Sequence, residues 1–131
     1  MKWSKVQIES FGYELGPEII SSEEIEEKLS SVYQRLHIPR WQIEAGTGME
    51  ERRWWAKGAR LTPGAVAAAI KAMAKTTVKA SDIGCLVYTG VCREQFEPAT
   101  ACGIANQLGV SGEAFVYDLS NACLGALNGM I

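Results

Sequence analysis

The chain has 131 residues, 47% of them hydrophobic and 21% charged, with a formal net charge of −2. That balance suits a single soluble globular domain, and the charge offers no general attraction to nucleic acid or to an anionic membrane. Apolar runs such as residues 65–70 are far shorter than the ~20 residues a membrane span needs, and the N-terminus lacks the apolar core of a signal peptide.

Val6, Ile8 and Phe11 predict a first strand over residues 5–11, which Gly16-Pro17 breaks. Ser21 with Glu24 three residues later has the form of a capping box. Beyond it Ile25, Leu29, Val32, Tyr33 and Leu36 recur at helical spacing, so one helix is expected to about Leu36. Its acidic residues Glu23, Glu24, Glu26 and Glu27 read as a solvated face that suits the helix dipole. His37-Ile38-Pro39 ends that helix, with His37 a helix-end residue of no assigned role, and residues 41–55 show no clear period. Thr62-Pro63 supplies N-cap and N1 chemistry for a second helix, whose Ala65, Ala68, Ala69 and Ala72 allow close packing.

Residues 83–91 are apolar on both alternating faces, as in a strand buried between two helix layers. Pro98 opens a third helix, carried by Ala101, Ile104, Ala105 and Leu108, with Gly109 suited to end it. Residues 114–119 form the next buried strand, and a last helix starts near Cys123. The order strand, helix, strand, helix predicts an α/β fold with a parallel sheet and right-handed crossovers.

Cysteines stand at positions 85, 92, 102 and 123 with no CxxC pair, and His37 is the only histidine, so no zinc site is expected. The reading is a cytosolic protein with free thiols, in which Cys85, Cys92 and Cys102 are structural. Gly46-Thr47-Gly48 lacks the third glycine and the preceding strand of a nucleotide-binding loop.

Three places offer chemistry. Cys123 lies just past the second buried strand, where Ala122 and Gly125 permit a tight strand-to-helix turn at the carboxyl end of the sheet. There it is either an activated thiol facing backbone N–H groups or a buried structural cysteine. Glu97, directly before Pro98, is either a functional carboxylate or only a charge at a helix start. Arg52 and Arg53, next to Trp54 and Trp55, either hold a phosphate and stack on a base, or pair with Glu44, Glu50 and Glu51.

Four segments together resemble the β-ketoacyl-acyl-carrier-protein synthase III family. They are residues 47–53, Asp82-Ile83-Gly84, Glu97-Pro98-Ala99-Thr100-Ala101 and residues 118–125, in order and with family-like spacing. The most specific is Asn121-Ala122-Cys123-Leu124. One subgroup is more similar still: the enzymes of bacterial long-chain olefin synthesis, which condense two acyl-CoA molecules head to head. They resemble this chain in residues 89–93 leading into Glu97-Pro98, and in Asn128-Gly129-Met130 after the cysteine segment.

The resemblance implies a thiolase-like fold of which residues 1–131 are the N-terminal portion, the C-terminal half lying outside this chain. It implies that Cys123 takes an acyl group as a thioester and that Glu97 reaches into a dimer partner's site as the base. Arg52 and Arg53 would be at most weak substrate contacts, and no metal or redox cofactor is implied. Gln42 and Gly46 stand where acetyl-CoA-primed members often carry Trp and Arg. The family's catalytic His and Asn lie beyond this stretch, so the expected partners are acyl-CoA or acyl-carrier-protein thioesters and either a second copy of the complete enzyme or a companion chain. The alternative is a non-catalytic or split subunit that binds acyl groups or a partner.

Overall fold

A computed structural model of the chain describes residues 4–131. They divide into two compact units, one of residues 15–59 and one of residues 4–14 with 60–131.

In the first unit, β1 (Glu18–Ser21) pairs antiparallel with β2 (Glu51–Trp54), Glu18 opposite Trp54 and Ser21 opposite Glu51. Between them run α1 (Ser22–Lys28), α2 (Ser30–Leu36) and α3 (Gln42–Thr47). The capping box is present: Glu24 N–H donates to Ser21 Oγ at 3.0 Å and Ser21 N–H to Glu24 Oε2 at 2.8 Å. The single helix expected to Leu36 is two helices. Leu29 leaves helical geometry (φ −96°, ψ 4°), and its N–H is shared between the Ile25 and Glu26 carbonyls. Ser30 and Ser31, poor helix formers, follow that joint; spacing cannot register the break because the apolar stripe continues across it. His37, in the left-handed region (φ 55°), ends α2 as expected.

Glu26 departs from the solvated face assigned to it. It is buried, and its carboxylate accepts the N–H groups of Trp41 (2.5 Å) and Ile43 (2.8 Å) at the start of α3. Those donors, Ile43 foremost, hold its carboxyl below the ordinary value against the opposing effect of burial. The region without a clear period therefore contains a short helix capped from a distance, followed by β2.

In the second unit, β3 (Cys85–Tyr88) and β4 (Phe115–Asp118) run parallel, Cys85 beside Phe115 and Tyr88 beside Asp118. The crossover is α5 (Thr100–Leu108), which packs on both strands and on α4 (Leu61–Met73). Val66, Ala101, Ile104 and Ala105 are the buried apolar side chains, and Gly103 approaches the buried Thr62 of α4. Gly109 (φ 69°) closes α5, as its position predicts. The architecture is α/β with a parallel strand pair and a crossover helix.

Four further expectations change in this unit. Residues 5–11 form no strand; Val6, Ile8 and Phe11 are exposed, and alternation alone makes no strand without a partner to complete its ladder. That segment is tied to α4 instead: Lys75 Nζ donates to the Phe11 carbonyl (2.8 Å), Lys71 pairs with Glu14 (2.6 Å), and a Cβ at Gly12 would collide with the backbone of Ala68 and Ala72. The α4 helix begins at Leu61, not after Thr62. The α5 helix begins at Thr100, not at Pro98. Finally, β4 is not buried on both faces, since Phe115 and Tyr117 are exposed while Val116 and Asp118 are half-buried.

Candidate active site

Leu119 extends the β3–β4 ladder by one bond, its N–H donating to the Tyr88 carbonyl at 2.9 Å. The chain then turns sharply. Ala122 has φ 43°, a left-handed conformation that costs a residue with a Cβ roughly 1–2 kcal/mol. Cys123 follows within a 3₁₀ turn (Ala122–Leu124) and its side chain is exposed; α6 (Gly125–Gly129) starts two residues later. The expected turn is present, with the thiol in the 3₁₀ segment and not in the first turn of an α-helix.

Two glycines set how closely α6 lies on the end of β3. A Cβ at Gly125 would stand 2.6 Å from the Thr89 carbonyl oxygen, and one at Gly129 would stand 2.7 Å from Thr89 Cγ2. The Asn121 side chain donates to that of Asn128 across the turn.

Glu97 lies in the loop of residues 89–99 between β3 and α5 and is exposed; its peptide bond to Pro98 is cis. It is not the cap of α5. Asp118, at the end of β4, takes that role, its two oxygens accepting the N–H groups of Thr100 and Ala101 at 2.9 Å each. Arg93 Nε pairs with Asp118 Oδ2 at 3.1 Å, and Arg93 Nη1 donates to the Gly90 carbonyl at 2.6 Å. Its guanidinium also lies 5.7 Å from the centre of the Tyr88 ring. Burial, first among the causes, pushes the Tyr88 phenol up from its ordinary value.

Glu94 caps α4 in the same manner. Thr62 N–H donates to its Oε1 at 2.6 Å, and Arg60 Nη2 to its Oε2 at 2.9 Å. The Thr62 N–H, followed by Arg60, draws the Glu94 carboxyl down to about 2.

Arg52 and Arg53 belong to the other unit, on β2. Arg52 Nη1 donates to the buried Ser22 Oγ at 2.7 Å, and Arg53 donates to the Gly16 carbonyl at 3.4 Å with Glu51 3.8 Å away. Glu44 and Glu50 instead line an open cleft of about 580 Å³ with Trp41, Ala45 and Gly48. Cys85 and Cys92 are exposed and Cys102 half-buried, so the first two lack the burial expected of structural cysteines. Arg93, Glu94 and Asp118 escape motif reading because their partners lie on other elements. The one signal available for Asp118 is a carboxylate ending a strand in a parallel pair, next to where the crossover helix must begin.

No family model matches the chain. Over 131 residues it is 53% identical to the acyl-CoA:acyl-CoA alkyltransferase of Shewanella oneidensis, covering all of this chain and 38% of that relative. Over 130 residues it is 34% identical to the protein of the same name from Xanthomonas campestris pv. campestris, covering 99% of this chain and 38% of the relative. A β-ketoacyl-[acyl-carrier-protein] synthase III of Koribacter versatilis is 29% identical over 94% of this chain and 34% of its own length. The crystal structure of cerulenin-bound OleA from X. campestris matches the fold with a TM-score of 0.85 and 34% identity, over 94% of this chain and 36% of that one.

The chain is thus similar to acyl-CoA:acyl-CoA alkyltransferases and to β-ketoacyl-[acyl-carrier-protein] synthases III. Its fold is similar to that of OleA and matches an N-terminal portion of it. It spans well under half the length of these relatives. Solved structures of the Xanthomonas OleA include variants of one glutamate, one cysteine and one histidine.

Proposed function

We propose that this protein is the nucleophile-bearing N-terminal portion of an enzyme that joins two acyl-CoA molecules head to head. The observation that carries the reading is an exposed Cys123 on a strained turn at the carboxyl end of a parallel strand pair, in a chain 53% identical to an acyl-CoA:acyl-CoA alkyltransferase. A second support is spacing. The glutamate and cysteine replaced in the Xanthomonas OleA structures are as many residues apart as Glu97 and Cys123 are here.

In the proposed reaction the Cys123 thiolate attacks the carbonyl of the first acyl-CoA. The tetrahedral intermediate collapses, coenzyme A leaves as its thiol after taking up a proton, and the acyl group stays on Sγ. The Cys123 backbone N–H, together with groups from outside this segment, holds the oxyanion. The Glu97 carboxylate then removes a proton from the α-carbon of the second acyl-CoA. The resulting carbanion attacks the acyl-Cys123 carbonyl, which forms the carbon–carbon bond and releases the thiolate and a β-ketoacyl-CoA. A malonyl donor would generate the carbanion by losing CO₂; two ordinary acyl thioesters need a base. The reading includes a cytoplasmic location and assembly as a homodimer.

The test is to incubate the complete enzyme with an acyl-CoA and map the acyl group by mass spectrometry. Acylation of Cys123 followed by β-ketoacyl-CoA release supports the enzyme. Labelling only at Cys85, Cys92 or Cys102, or binding without acylation, refutes the assignment.

A further inference from the structure

We propose that Arg93 and Glu94 are positioning residues for Glu97: they fasten the β3–α5 loop to two different elements and so fix where the carboxylate stands. The inference rests on the reading of Glu97 as the base.

The two residues are neighbours with opposite charges, and they reach in different directions. Arg93 bonds to Asp118 at the end of β4, and Asp118 in turn holds the first two N–H groups of α5. Glu94 bonds to Thr62 N–H and Arg60 at the start of α4. Their side chains are 25% and 11% exposed, while Phe96 beside Glu97 is 97% exposed. The loop thus has two sunken anchors and a projecting tip, and Gln95 Nε2 donates to the Pro98 carbonyl at 3.3 Å across that tip.

Glu97 is three residues after Glu94 and three before Thr100. Three residues span at most roughly 10 Å, so fixing both ends confines the Glu97 backbone to a small volume. Part-buried ion pairs add little net stability, and their best-attested use is to fix one geometry among several. A base misplaced by about 1 Å can lose on the order of 10²-fold in rate.

The experiment uses the complete enzyme with Glu94→Ala, Glu94→Gln and Glu97→Gln. Acylation of Cys123, condensation with a second acyl-CoA, condensation with a malonyl thioester, and hydrogen exchange of the amides of residues 95–97 are followed in each. Glu94→Ala is expected to acylate within about threefold of the parent and to retain malonyl condensation, while two-acyl-CoA condensation falls by about 10–100-fold. Exchange at residues 95–97 should rise about tenfold. Glu94→Gln, whose amide oxygen can still accept the Thr62 N–H, should recover most of both losses. Unchanged exchange in Glu94→Ala overturns the anchoring. An equal loss of all three activities also overturns it, as plain structural damage. If Glu97→Gln condenses two acyl-CoA molecules like the parent while exchange still rises in Glu94→Ala, Glu97 as base fails and the fastening of the loop stands.

Discussion

Chemistry here is concentrated in a few side chains whose settings differ sharply. Cys123 is exposed on a strained turn, and Glu97 projects from a loop beside an exposed Phe96. Replacing Cys123 by Ala in the complete enzyme should abolish acyl loading, as read by intact-protein mass spectrometry after incubation with an acyl-CoA; persistent loading would refute Cys123 as the acceptor.

Glu94 yields a prediction about pH. Its carboxyl titrates at about 2 in the fold, below its value in the unfolded chain. A depressed folded value means that the stabilisation is complete above the ordinary carboxylate range, ~4.3. It is lost as pH falls from there towards 2. Glu94→Gln should therefore be less stable than the parent near pH 7, and the two should converge as pH drops towards 2. Chemical denaturation at several pH values measures the gap; a gap that stays constant would show that the ionised carboxylate is not what holds the α4 terminus.

At the scale of elements, helix starts are decided by remote carboxylates. Glu26 caps α3, Glu94 caps α4 and Asp118 caps α5, each from outside the helix that it caps. Asp118→Ala should strip two N–H groups of α5 of their acceptor and leave Arg93 unpaired, at a cost of about 2–4 kcal/mol in unfolding free energy. Asp118→Asn keeps an acceptor and should cost less. The glycines of α6 make a complementary demand. Gly125→Ala puts a Cβ against the Thr89 carbonyl oxygen, and the helix must shift to relieve it, costing about 1–3 kcal/mol. Because that shift moves the turn carrying Cys123, acylation should slow as well; a variant with full stability and full acylation would show that the contact is not limiting.

Across the whole molecule, each unit leaves apolar side chains uncovered. In the unit that carries Cys123, Val91, Phe96, Phe115 and Leu127 are all more than half exposed, and four apolar side chains are buried among the described residues. No helix among those residues is long and apolar enough to cross a membrane. The 131 residues purified alone should bind a hydrophobic dye and should not condense acyl-CoA, because imidazole and amide groups are expected from elsewhere in the enzyme. Turnover by residues 1–131 free of any partner would contradict the proposal that the remaining groups lie outside this segment.

The sequence by itself determined the features encoded by near neighbours. Ser21 with Glu24 signals a capping box, Gly109 the end of α5, and the apolar run around Cys85–Tyr88 a strand; the segment around Cys123 marks a turn after the next one. The capping box, the helix end and the turn rest on bonds or conformations within a few residues, and the strand is marked by an unbroken apolar run, so spacing and residue type suffice to signal them. What the tertiary structure alone decided depends on partners far along the chain. Residues 5–11 alternate like a strand yet pair with none among the described residues, and Glu26 looks solvated by its position but is buried under α3. Thr62-Pro63 and Pro98 have local start chemistry, yet α4 and α5 begin where the carboxylates of Glu94 and Asp118 meet their free N–H groups. An unpaired N–H at a helix end accepts whichever oxygen the fold brings to it, and that choice is made in space and not along the chain.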